Sequence, residues 1–469
     1  MSADKHSTAT DRRTFYQLLI NTLLVSVVNY TVWFAITFYV YLETRSVFAT
    51  GVVSGIFLVL TAVTGIWFGS LVDHHAKTTM MQVSAVASLL LYAAAFGVYQ
   101  TAPREEFKDP ASVPLWALIV LLMFGVIVGN IRTIALPTLV TALIEEDSRD
   151  RANGLVGTTS GVSFLVTSVI SGILVALGGM FWVLVMALAV LAAAVVHLSS
   201  VRVVPAATAV SAAEGVPQRR TVDLRGTIRV VGEVPGLTAL ILFSTFNNFL
   251  GGVYMALMDA YGLSLVDVRT WGLLWGVLSA GLIVGGLCVA RTGLGSNPVR
   301  LLLLVNVVLW TVTVLFPVRS SIVLLGAGML VYMLLVPYAE AAEQTILQKV
   351  VPYERQGRVF GFAQSVEQAA SPLTAFLIAP VAQFVCIPLM TDGLGARTIG
   401  GWFGTGADRG LALVFVVTGL VGLAASLIAL RSGPYRRLSH HFMTVPAPVV
   451  TAGEESVPVA VHDPSQSES

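Results

Sequence analysis

Charge is scarce in this chain of 469 residues: only 11% are Asp, Glu, Lys or Arg, against 56% hydrophobic, and the mean hydropathy is +0.82. A soluble protein carries about 25% charged residues, so this composition cannot clothe a water-facing surface of the size such a chain exposes. A soluble enzyme with a membrane tail is thereby excluded. Neither sign of charge is in excess, with 27 Lys and Arg against 26 Asp and Glu, which leaves no electrostatic case for nucleic acid as a partner. Cysteine is nearly absent. Cys288 and Cys386 lie in or beside apolar runs, and of the seven histidines only His197 does, so neither a disulfide framework, a metal site nor a cofactor site is expected. No GxxxxGK[ST] segment occurs, so the chain has no P-loop of its own. Energy must then come from a gradient or from another subunit, and an enzyme is not expected.

Long apolar runs are what the chain has instead. A membrane-crossing helix takes about 20 apolar residues, and twelve candidate spans follow at 16–42, 48–72, 78–99, 113–143, 154–177, 180–199, 237–258, 270–290, 299–316, 321–345, 359–384 and 410–430. They divide the chain into an N-terminal segment 1–15, a six-helix bundle 16–199, a polar linker 200–236, a second bundle 237–430 and a tail 431–469 that reads as disordered. With the N-terminus in the cytoplasm, nineteen Lys and Arg fall in inner segments and seven in outer ones. By the positive-inside rule both termini are therefore cytoplasmic, in a multi-pass protein of the cell (inner) membrane. Within the linker, RRTVDLRGTIRVVGEV can form an interfacial helix with Val222, Ile228 and Val231 toward the bilayer and Arg225 and Arg229 toward water. A plain solvated linker is the equal alternative.

The two halves repeat. EEDSRDRANGL after span 4 and VPYERQGRVFGF after span 10 are both acidic-basic turns that lead into the next span, with Arg151 and Arg358 in equivalent places. Asn29 in span 1 likewise corresponds to Asn247 and Asn248 in span 7. Two duplicated halves with a path between them are the build of an alternating-access carrier.

The segment Gly69-Ser-Leu-Val-Asp73-His-His-Ala-Lys77 resembles the GxxxDRxGRR signature of the major facilitator superfamily, with His74 and His75 replacing part of the basic run. EQTILQKVVPYERQGRVFGF followed by SPLTAFLIAPVAQF resembles the drug:proton antiporter branch of that superfamily, which includes macrolide efflux proteins. GWFGTGADRGLALVF and the segment around Arg132 and Pro137 fit the same group, so the resemblance spans about 15–430. One departure is Thr167-Ser-Val-Ile-Ser171-Gly172 in span 5, which lacks the proline of the antiporter element. The resemblance implies an all-α fold of twelve transmembrane helices in two pseudo-symmetric bundles. It also implies export of amphipathic drug-like or macrolide-like molecules in exchange for protons, by a chain that works as a monomer among membrane lipids. Alternatives are export of a native metabolite such as a siderophore or lipid, and a non-transporting sensor that keeps the fold.

The resemblance further implies that Asp73 locks the halves together, and a carboxylate there can meet both a cation and the N-terminal dipole of a facing helix. The expected gate comprises Gly69, Asp73, Lys77, Arg151, Gly357 and Arg358. Four charges fall inside spans: Arg132, Glu340, Glu343 and Glu367. Glu367, about 13 Å along its helix from Arg358, is either a proton-coupling or substrate-contact group or a static partner of a polar neighbour. Glu340 is a candidate cavity charge, whereas Glu343 is equally a partner for Lys349 or Arg355. Arg132 either attracts an anionic group or neutralises Asp73 or a glutamate. Asn29, Tyr30, Trp33, Asn247 and Asn248 are either substrate contacts or groups that hold helices together.

Overall fold

The computed structural model describes residues 2–44, 47–109, 111–201 and 224–445. Among these there is no strand. The N-terminal half contains α1 (Ser2–Thr44), α2 (Val47–His74), α3 (Lys77–Thr101), α4 (Val113–Gly129), α5 (Ile131–Leu143), α6 (Glu146–Gly178) and α7 (Met180–Ser200). A short α8 (Leu224–Glu233) precedes α9 (Leu237–Leu265), α10 (Val268–Thr292), α11 (Pro298–Leu315), α12 (Ile322–Val350), α13 (Gln356–Val381), the small α14 (Ile387–Thr391), α15 (Leu394–Thr398) and α16 (Gly400–Phe403), then α17 (Ala407–Arg431) and α18 (Gly433–Thr444). Eleven stretches of helix are long and apolar enough to cross a membrane. The 28 residues of α2, about 42 Å at 1.5 Å each, make the twelfth crossing.

Local chemistry explains where the helices depart from uniform spans. The expected fourth span is two helices, α4 and α5, joined at Asn130, whose N–H bonds back to Ile127 and Val128. Pro137 inside α5 has no N–H to continue the ladder. In α13, Pro372 and Pro380 precede a wider turn over Ala382–Cys386, a geometry that absorbs a missing backbone donor.

Two expected boundaries change. Residues 2–15 are the first turns of α1 rather than a separate segment, and Phe15 and Leu18 are already buried. The first part of the tail is also ordered. Ser432 caps α18, Pro434 occupies its first turn, and Leu438 and Phe442 are buried; Arg and His residues interleave with this apolar face of 3–4 residue spacing and mask it in the sequence. Gly236, at φ 82° between α8 and α9, turns where a side chain would strike the Pro434 carbonyl and Leu438. In α8, Val230 and Val231 enter the protein core while Ile228, Arg225 and Arg229 are exposed, so Val231 is not left to the bilayer. Val222 lies outside the described residues.

The buried apolar side chains fall into three clusters. One draws on both halves, from Phe15, Phe68 and Ile131 to Val289, Ile346 and Phe360, and includes Val230, Val231 and Leu438 from α8 and α18. The other two are each confined to one half, one around Tyr39, Tyr92 and Leu184 and the other around Tyr261, Phe316 and Phe415. On the side that carries α8 and α18, here the linker side, the core is thus continuous across the halves. Among the described residues the core on the far side is divided, and the exposure of Tyr30 and Glu340 at mid-helix marks a cleft between the halves there.

Candidate functional site

The cleft ends at a seal of close helix contacts on the linker side. Gly65 and Gly69 of α2 face Gly357 and Gly361 of α13, each pair four residues apart and so on one helix face. A side-chain carbon at Gly69 would lie 2.5 Å from the Gly357 carbonyl, and one at Gly361 would lie 2.5 Å from the Gly65 carbonyl. Small residues at this spacing let two backbones touch. A second seam has the same character: Gly154 of α6 abuts Ala290 of α10, and Gly286 of α10 abuts Thr158 of α6.

Asp73 closes the first seam. Its buried carboxylate accepts hydrogen bonds from the N–H groups of Gly357 (2.7 Å) and Arg358 (2.9 Å) and from Arg358 Nε (3.2 Å). These two N–H groups are at the start of α13, where helical donors have no partner within the helix and the dipole favours an anion. Lys77 is buried nearby, with Nζ donating to the Asp73 backbone carbonyl (3.4 Å) and lying 5.3 Å from the Tyr353 ring centre. Arg151 is exposed. Its backbone N–H, rather than its guanidinium, meets a carboxylate, that of Asp150, whose other oxygen accepts from the Leu294 N–H at 2.8 Å across the halves. The two seams therefore use opposite polarity. At one, a carboxylate from the end of α2 meets the start of α13, and at the other a carboxylate from the start of α6 meets the segment after α10.

Several groups of this seal escape motif matching. Asn153 Nδ2 donates to Thr345 Oγ1 (2.8 Å) and Gln348 Oε1 (2.9 Å), and Gln348 Nε2 donates to the Pro137 carbonyl (3.1 Å). Lys349 pairs with Glu146 at 2.6 Å, so it is not the partner of Glu343. Arg149 is buried, with Nε and Nη2 on the carbonyls of Ile144 and Thr141. The readable signal was Asn153 and Gln348, two amides inside amphipathic turns that flank the repeated loops.

Above the seal, Glu343 and Gln344 of α12, Gln364 and Glu367 of α13 and Thr133 of α5 line a cavity of about 180 Å³. The Glu343 carboxyl has the Glu367 carboxyl and the Ser244 hydroxyl as immediate neighbours. Thr133 and Gln364 pair across the halves at 2.9–3.1 Å. One turn further from the seal, Glu340 is exposed, and no hydrogen bond or ion pair engages it among the described residues. Tyr30 from the other half and Tyr332 lie within electrostatic reach of it, and Tyr30 is 45% exposed although it sits at mid-helix. Both Glu340 and Tyr30 therefore face the cleft.

The remaining candidates are placed otherwise. Arg132 is buried, donating from Nη1 to Asn21 Oδ1 (2.7 Å) and from Nη2 to the Met81 carbonyl (3.0 Å). It ties α5 to α1 and α3, and neither Asp73 nor a glutamate is its partner. Asn29 accepts from the Tyr92 hydroxyl (2.9 Å) and packs against Gly129, a helix-to-helix contact. Asn247 accepts from Trp310 Nε1 at 2.7 Å. Asn248 is exposed, and its backbone carbonyl accepts from Ser371 Oγ. Trp33 stacks on Phe57 with ring centres 3.8 Å apart. No group of three His, Cys, Asp or Glu able to hold a metal occurs among the described residues.

Comparison with known proteins agrees with this architecture. Macrolide efflux protein A of Streptococcus pyogenes is 22% identical over 381 residues, covering 78% of this chain and 88% of that protein. Among solved structures, a bacterial homologue of the iron transporter ferroportin in an outward-facing state aligns with a TM-score of 0.64 at 15% identity, covering 88% of this chain and 98% of the other. The proton:xylose symporter XylE aligns with a TM-score of 0.63 at 12% identity, covering 90% and 96%. These two show the shared fold. The family model of the Major Facilitator Superfamily matches residues 18–375, and the chain, a multi-pass membrane transporter and not an enzyme, belongs to that superfamily.

Proposed function

We propose that the chain is a secondary active exporter that moves amphipathic, drug-like or macrolide-like small molecules outward by alternating access in exchange for protons. Its termini are in the cytoplasm, so the sealed linker side is the inner one and the cleft opens outward. The excess of Lys and Arg in the segments of that side supports this orientation. The relation to a macrolide efflux protein supports the direction and the substrate class.

The observation that carries the proposal is the Glu343–Glu367 pair at the foot of the cleft, beside the seam between the halves. Two adjacent carboxylates out of water repel each other, and one proton held between them turns that repulsion into a hydrogen bond. Such a pair changes its net charge by one as access alternates. Glu340 is the charged neighbour on its own helix; α5 presents Thr133 and α9 presents Ser244. In everted membrane vesicles, a macrolide is expected to accumulate when a proton gradient is imposed and to leak back when the gradient is collapsed. Accumulation indifferent to the gradient would overturn proton exchange.

A further inference from the structure

At the linker-side ends of α9, α11 and α17 the C-terminal half has an open apolar groove. Leu240 and Phe243 of α9, Leu302 and Leu303 of α11, and Tyr435 and Leu438 of α18 form its walls. Toward the middle of the membrane the groove runs out onto exposed apolar side chains, Leu242 of α9, Leu304 of α11 and Ile428 of α17, which on crossing helices face acyl chains. Toward the linker side the chemistry changes within one turn. Arg300 follows Val299 of the groove wall in α11, Arg431 ends α17, and Arg436 follows Tyr435 in α18; all three are exposed. None of them enters an ion pair among the described residues, and α11 and α18 contain no Asp or Glu.

We infer that this groove binds one anionic phospholipid from the leaflet on the linker side, with its phosphodiester on Arg300, Arg431 and Arg436 and the upper part of an acyl chain against Leu240, Leu302 and Leu438. A border between exposed apolar side chains and unpaired guanidinium groups is where bilayer hydrocarbon gives way to headgroups, and Tyr435 sets its amphipathic ring at that level. Guanidinium groups suit the ligand because their N–H donors meet phosphate oxygens in pairs. A zwitterionic lipid brings its own ammonium among three cations and loses much of that attraction. A free phosphate has the charge but leaves the groove empty. The bound lipid bridges α11, α17 and α18, and so fastens α18 to the helices it covers. Every wall belongs to the C-terminal half, so the lipid travels with that half through both access states. The site depends on the chain spanning a membrane, not on what the chain exports.

Native mass spectrometry of the full-length chain in detergent micelles tests this with dioleoyl phosphatidylglycerol, dioleoyl phosphatidylcholine and glycerol 3-phosphate. One phosphatidylglycerol is expected to be retained at least ten-fold more tightly than phosphatidylcholine, and glycerol 3-phosphate at equal concentration not to displace it. The double variant Arg300→Gln/Arg436→Gln is expected to lower that preference about ten-fold. Arg225→Gln/Arg229→Gln removes the same charge from the exposed face of α8 and is expected to leave the preference unchanged. Ala239→Phe, which fills the groove, is expected to weaken both lipids alike. Thermal unfolding of each variant separates lost binding from lost folding. Equal retention of the two lipids, or equal losses from the two double variants, would reduce the site to diffuse surface charge and overturn the inference. Displacement by glycerol 3-phosphate would make it an anion site without a lipid. Unchanged retention by a folded Ala239→Phe protein would remove the acyl chain from the groove.

Discussion

At the scale of single residues, the same side-chain type does different work according to what surrounds it. Asp73 and Asp150 are both carboxylates at the seal, each accepting backbone N–H bonds across the halves. Hydrogen bonds to a charged group contribute about 1.5–3 kcal/mol each, and Asp73→Asn keeps the shape while removing the charge. It is expected to move the balance between the two access states toward the open seal by at least ten-fold. A cysteine placed at Tyr30, after Cys288 and Cys386 are replaced, reports this through slower labelling by an impermeant reagent from the far side; an unchanged rate would mean that Asp73 does not hold the seal. Arg132 shows the contrary case. Its bonds are to Asn21 and Met81 within one half, so Arg132→Ala is expected to lower the unfolding temperature of the purified protein and leave the order of preference among substrates intact. A changed substrate order would place it in the transport path after all.

At the scale of elements, the seams depend on glycine spacing. Gly65 with Gly69 and Gly357 with Gly361 let α2 and α13 meet backbone to backbone, whereas Gly97 of α3 has nothing within 4 Å of an added side-chain carbon. Gly361→Leu is therefore expected to prevent closure of the linker side, leaving the protein folded but trapped with that side open, while Gly97→Leu is silent. Cross-linking of cysteines at positions 66 and 362 compares the two: equal yields in both variants would contradict this role for the glycine seam. The same spacing is visible in the chain as two GxxxG segments, of which the expected gate includes only Gly69 and Gly357. Sequence spacing reveals a small-residue face but not which helix covers it. The α4–α5 break at Asn130 and the ordered α18 were less legible, because each depends on packing from distant elements, such as the Asn297 to Ser439 bond of 2.7 Å that holds α18.

At the scale of the whole molecule, coupling requires the carboxyl pair to feel both access states. Glu367→Gln is expected to retain substrate exchange between equal pools in vesicles while losing gradient-driven accumulation, and retained accumulation would remove Glu367 from coupling. The number of crossings, the division into halves and the chemistry of the gating segments follow from the sequence itself, because burying apolar residues in lipid and keeping Lys and Arg at its edges are local demands on each segment. Sequence also singles out Glu340, Glu343 and Glu367, since charge within an apolar span is costly anywhere. Tertiary structure alone decided their partners. It set Glu343 beside Glu367 rather than Lys349, turned Asn29, Asn247 and Arg132 toward neighbouring helices, left Tyr30 and Glu340 facing the cleft, and divided the core on one side only. A residue's position along a helix gives its depth, but what it faces depends on how two separately encoded halves come together.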